Sequence, residues 1–501
     1  MAIWTSVIKV THGRSLLGVA LVACLLGGCA VGPDFKPPAT PTGQGYAPTP
    51  LPPVTAATDD RDGAAQRLVA GKDVPSQWWQ AFGNASLDAL VTDALARNQD
   101  IAAAQAALRA AQESVRAQRG AYLPTVSASV DPSRQKTGQE LSSAVFSNEQ
   151  LYTLTTAQVS VSYTPDLWGA NRRQVESLLA QAQAQRFELA ATAQSLSANL
   201  VNAVIAQASL RAQLRANQAI VAAQTQLLDS LRRQFAVGQV ARAALLAQQS
   251  ALAQAQAALP PLQSQLAQQG DLLAALDGRD PDAPRAAALE LDQLHLPTEL
   301  PLSLPAALVA QRPDVRAAQA QMHAASAQIG VAEAARLPNV QINADVGSAG
   351  GGVGSLFESG GGFWSLGSSL AQTLFDGGTL KHRQRAAEAL YLQSAAQYRA
   401  SVLGALQNVA DVLQAMQADA RALTAASDAA KAADGSLAIA QQQQAAGDLS
   451  GNTVLTAQIA QQQAQIALVQ ARSARYSDTV ALFQALGGGW WSDGAARGTA
   501  P

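Results

Sequence analysis

The chain has 501 residues and a formal net charge of −2, with 14% charged, 5% aromatic and 48% hydrophobic residues. Without a basic excess it lacks the electrostatic footprint of a nucleic-acid binder. Its apolar share is largely alanine and its polar share largely glutamine; both are good helix formers, and this mixture builds long, closely apposed helices with thin seams, not a wide core.

The N-terminus carries Lys9, His12 and Arg14, an apolar run from Leu16 to Leu26, and then Leu26-Gly27-Gly28-Cys29. A basic region, a short apolar region and small residues before a cut describe a secretory signal peptide over residues 1–28. The run is shorter than the ~20 residues that span a bilayer. Cys29, directly after two glycines, is the natural acceptor for a diacylglycerol, so the mature protein would begin there and hang from a membrane by acyl chains; the alternative is a plain signal peptide with an incidental cysteine. Ala30, not aspartate, follows, which in bacterial lipoproteins goes with passage to the outer membrane. The only other cysteine, Cys24, leaves with the signal peptide, so no disulfide is expected. After Leu26 no stretch has 18 consecutive apolar residues, so no transmembrane helix is expected and any crossing must be a β-barrel. Residues 29–84 read as an anchored tether and belt segment, with Gly32–Pro53 extended through its proline and threonine content.

Two repeats follow, expected over 85–276 and 306–486. Asp100, Ile101, Gln105, Val115 and Leu123-Pro124 recur at one constant offset as Asp314, Val315, Gln319, Ile329 and Leu337-Pro338. A second block pairs Gly238, Leu246 and Gln249 with Gly447, Leu455 and Gln458. In each repeat a helical stretch (roughly 85–120 and 306–335) ends at Leu-Pro, which cannot continue a helix. Alternating runs come next: Val126–Val130 and Thr155–Tyr163 in the first repeat, Val340–Val346 and Trp364–Leu370 in the second. These predict β-hairpins over about 125–165 and 339–375, apolar on one face and Ser, Thr, Gln or Asn on the other, as in barrel strands. Gly347–Gly362 reads as a cell-surface loop; it lacks the Gly-Lys-Ser/Thr ending of a phosphate cradle. Long helices without proline are then expected over 172–235 and 381–445, each followed by a tip turn (about 237–240 and 446–449) and a return helix. Residues 277–305 read as a belt linker and 487–501 as a tail. Four strands cannot close a barrel, which needs about eight or more, and bare edges in lipid are forbidden. The chain must therefore oligomerise, and physics alone does not choose between two and three copies.

Cys29-Ala30-Val31-Gly32-Pro33-Asp34-Phe35, Trp78-Trp79-Gln80-Ala81-Phe82 with Leu87-Asp88-Ala89-Leu90, Gln311-Arg312-Pro313-Asp314-Val315, and Ile329-Gly330 with Leu337-Pro338 resemble the signatures of NodT-type outer-membrane lipoproteins, the TolC-like channels of tripartite efflux pumps. The resemblance covers nearly the whole chain. It implies a mainly α fold with a membrane β-barrel portion: a tunnel of long antiparallel helices, and four strands per chain completing a twelve-stranded barrel in a homotrimer. It further implies an outer-membrane protein extending into the periplasm, contacting outer-membrane lipid, and docking to a periplasmic membrane fusion (adaptor) protein and an inner-membrane resistance-nodulation-division transporter. The implied function is a passive exit duct for drugs or other small molecules. Type I protein secretion and metal-ion efflux use the same architecture. A coiled-coil scaffold or adaptor would show one helical hairpin beside lipoyl-like strands, whereas two hairpins with strand pairs are read here.

By the same resemblance the periplasmic mouth is Val237, Gly238, Gln239 and Val240 with Ala446, Gly447, Asp448 and Leu449. The family's gate positions, counted from Gly447, hold Asn452 and Thr456, a departure from the usual leucine and aspartate. Asp448 is then the only nearby carboxylate; three copies would place negative charge at the mouth, or it is simply a solvated turn acid. Tyr122, Tyr163, Trp168 and Phe375 would lie at the strand ends nearest the helices, as an interfacial girdle or as ordinary junction packing. The four histidines, His12, His295, His323 and His382, share no metal-ligand spacing, and no nucleophile or paired-carboxylate constellation stands out. No enzyme activity, metal or cofactor is expected.

Overall fold

The computed structural model describes residues 30–43, 45–48, 52–136, 151–283 and 289–492. The expected signal peptide and Cys29 lie outside the described residues, as does the tail from 493. In chain order the elements are β1 (Arg67–Ala70), α1 (Ala85–Arg97), α2 (Gln99–Arg119), β2 (Thr125–Lys136), β3 (Leu151–Tyr163), α3 (Ala170–Ala236), α4 (Arg242–Ala257), α5 (Leu259–Leu276), β4 (Glu299–Leu302), α6 (Pro305–Gln311), α7 (Pro313–Ala334), β5 (Asn339–Gly350), β6 (Gly362–Ala371), α8 (Thr379–Ala445) and α9 (Gly451–Ala485). The chain divides into two compact units. The first joins the N-terminal residues up to Pro37 with Leu108–Ala184 and Ala318–Gln397; the second joins Pro38–Ala107, Gln185–Ala317 and the chain from Tyr398 on.

The first unit holds a four-stranded antiparallel sheet in the order β2-β3-β5-β6. Residues directly opposed across a ladder share a face, so the register sorts the side chains. Val126 faces Val161, Val159 faces Val346, and Val346 faces Trp364, while Leu366 and Leu370 extend the same surface. The other face carries Ser127, Ser129, Gln158, Ser160, Asn343, Asp345 and Ser365; there Ser365 donates to Asp345 at 2.8 Å and Gln341 to Ser162 at 3.0 Å. Trp364 is 78% exposed and Leu366 71%. Among the described residues the outer strands β2 and β6 each have one partner only. Below the sheet, Asp166 accepts from the backbone N–H groups of Asn171 and Arg172 at 3.0 and 2.8 Å, and Asp376 from Gly378 and Leu380 at 2.8 Å each. Each repeat thus caps its long helix with an aspartate where the unpaired N–H groups point.

The second unit is mainly helical. At its reversals the helices run antiparallel: Gln248 of α4 donates to the Gln224 carbonyl of α3 at 3.1 Å, and Gln461 of α9 to Asp434 of α8 at 2.9 Å. The seams are narrow, as the alanine content requires. Ile220 and Ala223 of α3 bury against Ile459, with Ala255 of α4 alongside, and Leu423 and Ala430 of α8 bury against Leu468. One window of α3 reaches a mean hydropathy of 1.2 over 18 residues. By length and composition alone it could span a membrane, but it is not an unbroken apolar run, and Leu200, Val201 and Ile205 of this helix are fully buried in the fold.

The mainly α fold with paired strands is as the sequence implies, and four details differ. The single helices expected over 85–120 and 306–335 are each broken. Asn98 ends α1 and caps α2, its side chain accepting from Asp100 N at 2.8 Å and Ile101 N at 3.3 Å; Arg312, preceding Pro313, is extended because proline disfavours helical geometry at the residue before it. The first return helix divides at Ala258, where Pro260 and Pro261 open α5. Part of the glycine-rich loop is strand: Gly347–Gly350 belongs to β5, and Gly354–Phe357 forms a 3-10 turn. Finally, the N-terminal belt segment and the proline-rich linker pair as parallel strands β1 and β4. Arg475 of α9, 2% exposed, holds the belt by donating to the Asp62 and Ala64 carbonyls at 2.8 and 3.1 Å and to Gln66 at 3.1 Å.

Candidate functional site

The two tip turns are built alike. Gly238 and Gly447 adopt φ of +77° and +86°. The N–H of Gly238 reaches the Phe235 carbonyl and that of Gln239 the Gln234 carbonyl, both at 2.9 Å; Gly447 and Asp448 repeat the pattern onto Gln444 and Gln443 at 3.0 and 2.9 Å. This is a Schellman closure, in which a left-handed glycine lets the last helical carbonyls find donors. Val237 is 69% exposed, and Gly238, Gln239, Ala446, Gly447 and Asp448 are exposed, with Val240 and Leu449 half-buried.

Beside the tips lies a cleft of about 540 Å³ lined by Asp229, Ser230 and Arg233 of α3, Gln444 of α8, and Asn452, Val454, Leu455 and Gln458 of α9. Of the gate candidates Asn452 alone lines it. Thr456 instead donates to the Asn452 carbonyl at 3.0 Å. Asp448 is not the only carboxylate nearby: Asp229, ion-paired with Arg232 at 3.0 Å, sits in the cleft wall. Its position inside α3, about two turns before the helix end at Ala236, carries no sequence signal.

The first unit packs its own N-terminus. The Val31 N–H donates to the Trp168 carbonyl at 3.1 Å. The Arg173 guanidinium, with its side chain 5% exposed, donates to the carbonyls of Val31 and Gly32 at 3.1 and 3.0 Å and pairs with Asp34 and Glu176, both at 2.8 Å. Glu176 also meets His323 Nε2 at 2.9 Å, and the His323 ring stacks on Phe35 with centroids 4.4 Å apart. The extended tether expected over Gly32–Pro53 is therefore docked at its beginning. Of the four junction aromatics, Phe375 is 91% exposed and Tyr122 40%, Tyr163 is half-buried, and Trp168 is tied to the Pro338 carbonyl at 2.7 Å.

Comparison with known proteins matches residues 90–279 and 304–488 to the model of the outer membrane efflux protein family. The pyoverdine export outer membrane protein OpmQ of Pseudomonas aeruginosa is 31% identical over 440 residues, covering 86% of this chain and 92% of its own. The probable efflux pump outer membrane protein TtgC of Pseudomonas putida is 30% identical over 482 residues, covering 95% and 96%. The crystal structure of the outer membrane protein VceC of Vibrio cholerae superposes with a TM-score of 0.73 at 28% identity, covering 83% of this chain and all of that one.

Proposed function

The chain belongs to the outer membrane efflux protein family, and from that premise we propose that three copies close one β-barrel and one helical duct through which small molecules leave the cell. The sheet carries this reading. It has one apolar and exposed face, one polar face and, among the described residues, two unpaired edges, which suits lipid on one side, water on the other and further copies at both ends. Three copies supply twelve strands around an aqueous lumen. The long helices then form the periplasmic duct, 29–84 with 277–305 its belt, and acyl chains on Cys29 its second hold on the membrane. Tyr122, Tyr163, Trp168 and Phe375 form the inner aromatic girdle.

The tip turns Val237–Val240 and Ala446–Leu449 are the docking surface for a periplasmic adaptor, behind which stands an inner-membrane transporter of the resistance-nodulation-division type. The names of OpmQ and TtgC, which speak of pyoverdine export and of an efflux pump, favour small-molecule cargo over secreted protein. At the mouth, three copies of Asp448 supply negative charge to the constriction, with the neutral Asn452 and Thr456 nearby as gate positions and Asp229 in the cleft wall.

Planar-bilayer recordings test both levels. The purified protein is expected to migrate as a heat-modifiable oligomer and to give cation-preferring pores. Asp448→Ala is expected to lower the cation preference while leaving the oligomer intact. A water-soluble monomer without conductance overturns the channel, and unchanged selectivity in the variant removes the Asp448 ring alone.

A further inference from the structure

The most fully built polar cluster outside the tip is the one around Arg173, and export as such makes no use of it. Burying a guanidinium is costly unless its donors are paired, and here the partners come from the chain's own N-terminus: the carbonyls of Val31 and Gly32 and the carboxylate of Asp34. The fit is steric as well as polar. Gly32 adopts φ of +92°, and a Cβ there would lie 2.3 Å from Gly330 Cα, so the segment crosses α7 where neither backbone carries a side chain. Phe35 closes the far end on His323. Arg173's hydrogen bond holds the exposed Asp34 carboxyl below its usual range. Burial pushes Glu176 up, but its bonds to Arg173 and His323 outweigh that and keep it low. Both carboxyls are therefore ionised at neutral pH.

Its location gives it a task. Val31 is hydrogen-bonded to Trp168, between the end of β3 and the start of α3. There the apolar face of the sheet begins, with Tyr163 opposite Ile342. Cys29 is two residues upstream, so its Cα can lie no more than about 7 Å from that of Val31. With the clasp open as far as Pro37, eight residues would let Cys29 roam up to about 28 Å. We propose that the Arg173-centred clasp is a docking site for the chain's own acylated N-terminus, which fixes the lipid anchor level with the near edge of the sheet's apolar face so that the anchor guides the strands into the membrane. This rests on the reading of Cys29 as the acylated residue.

The test compares assembly rates in cells, read as the appearance of heat-modifiable oligomer in the outer-membrane fraction after a pulse of synthesis. Asp34→Ala combined with Phe35→Ala opens the clasp from its N-terminal side without altering α3 or α7; Arg173→Gln opens it from the other. Each is made in the native chain and in a Cys29→Ala chain exported by a leader that ordinary signal peptidase removes. Opening the clasp is expected to slow assembly roughly tenfold in the acylated chain, because a freed anchor searches a larger volume, and to leave the non-acylated chain's slower rate unchanged. An equal slowing in both backgrounds overturns the proposal and makes the clasp a packing feature only. Palmitate labelling of the native chain separates the two ideas: no label on Cys29 overturns the anchor itself, whereas label with equal slowing overturns only the role of the clasp.

Discussion

Among individual residues, Asp478 of α9 is set most sharply by its surroundings. Burial pushes its carboxyl up to about 7, and the neighbouring Asp419 of α8 pushes in the same direction, against the pull of Arg475. In an unfolded chain the same group titrates near ~3.9. Between those values the folded state binds a proton that the unfolded state has lost, so this site makes stability fall as pH rises from about 4 to about 7. Asp478→Asn is therefore expected to leave the thermal midpoint almost unchanged near pH 3, below both values, and to raise it progressively up to pH 8, flattening the profile between. A parallel shift at every pH would remove the carboxyl pair as its cause. None of this is legible in sequence, where Asp419 and Asp478 are ordinary helix acids on different elements. The Arg173 clasp was hidden for the same reason, since its partners lie far apart along the chain. Cys29, by contrast, is marked by its immediate neighbours.

At the scale of elements, local chemistry was readable wherever it alone decides the conformation. The two 67-residue helices α3 and α8, about 100 Å each at ~1.5 Å per residue, announce themselves by the lack of proline, and their ends by glycine. Breaks that depend on a single side chain were harder: Asn98 caps α2 without any proline nearby, and β1 pairs with β4 across most of the first repeat. The tip glycines carry the element-scale prediction. A Cβ at Gly238 or Gly447 would meet nothing within 4 Å, so the cost of alanine there is the left-handed backbone itself, about 1 kcal/mol. Gly238→Ala and Gly447→Ala should each speed hydrogen exchange in the last turn of α3 or α8 about fivefold, while asparagine, which tolerates that conformation better, should stay near the parent. If alanine and asparagine behave alike, the turn is not held by the Schellman closure.

For the whole molecule the decisive fact is that, among the described residues, the sheet stops at β2 on one side and β6 on the other. The alternating runs made the faces legible in sequence, but no local pattern encodes which strands neighbour each other, and still less how many copies meet. Each unpaired N–H or carbonyl on those edges would cost several kcal/mol in hydrocarbon, so the edges must find each other between copies. Within one chain β2 and β6 are separated by β3 and β5, about 14 Å at ~4.8 Å per strand, well beyond the ~7 Å at which two Cα atoms can still be bridged by a disulfide. Any disulfide between a cysteine on β2 and one on β6 is then a bond between copies. Ala128→Cys on β2 can be scanned against Trp364→Cys, Leu366→Cys and Ser368→Cys on β6, all on the same face of the sheet by register. One register is expected to oxidise, and its largest covalent product on a non-reducing gel should contain three chains. A product that ends at two chains would replace the twelve-stranded barrel with one of eight, and no product at any register would mean that these edges never meet.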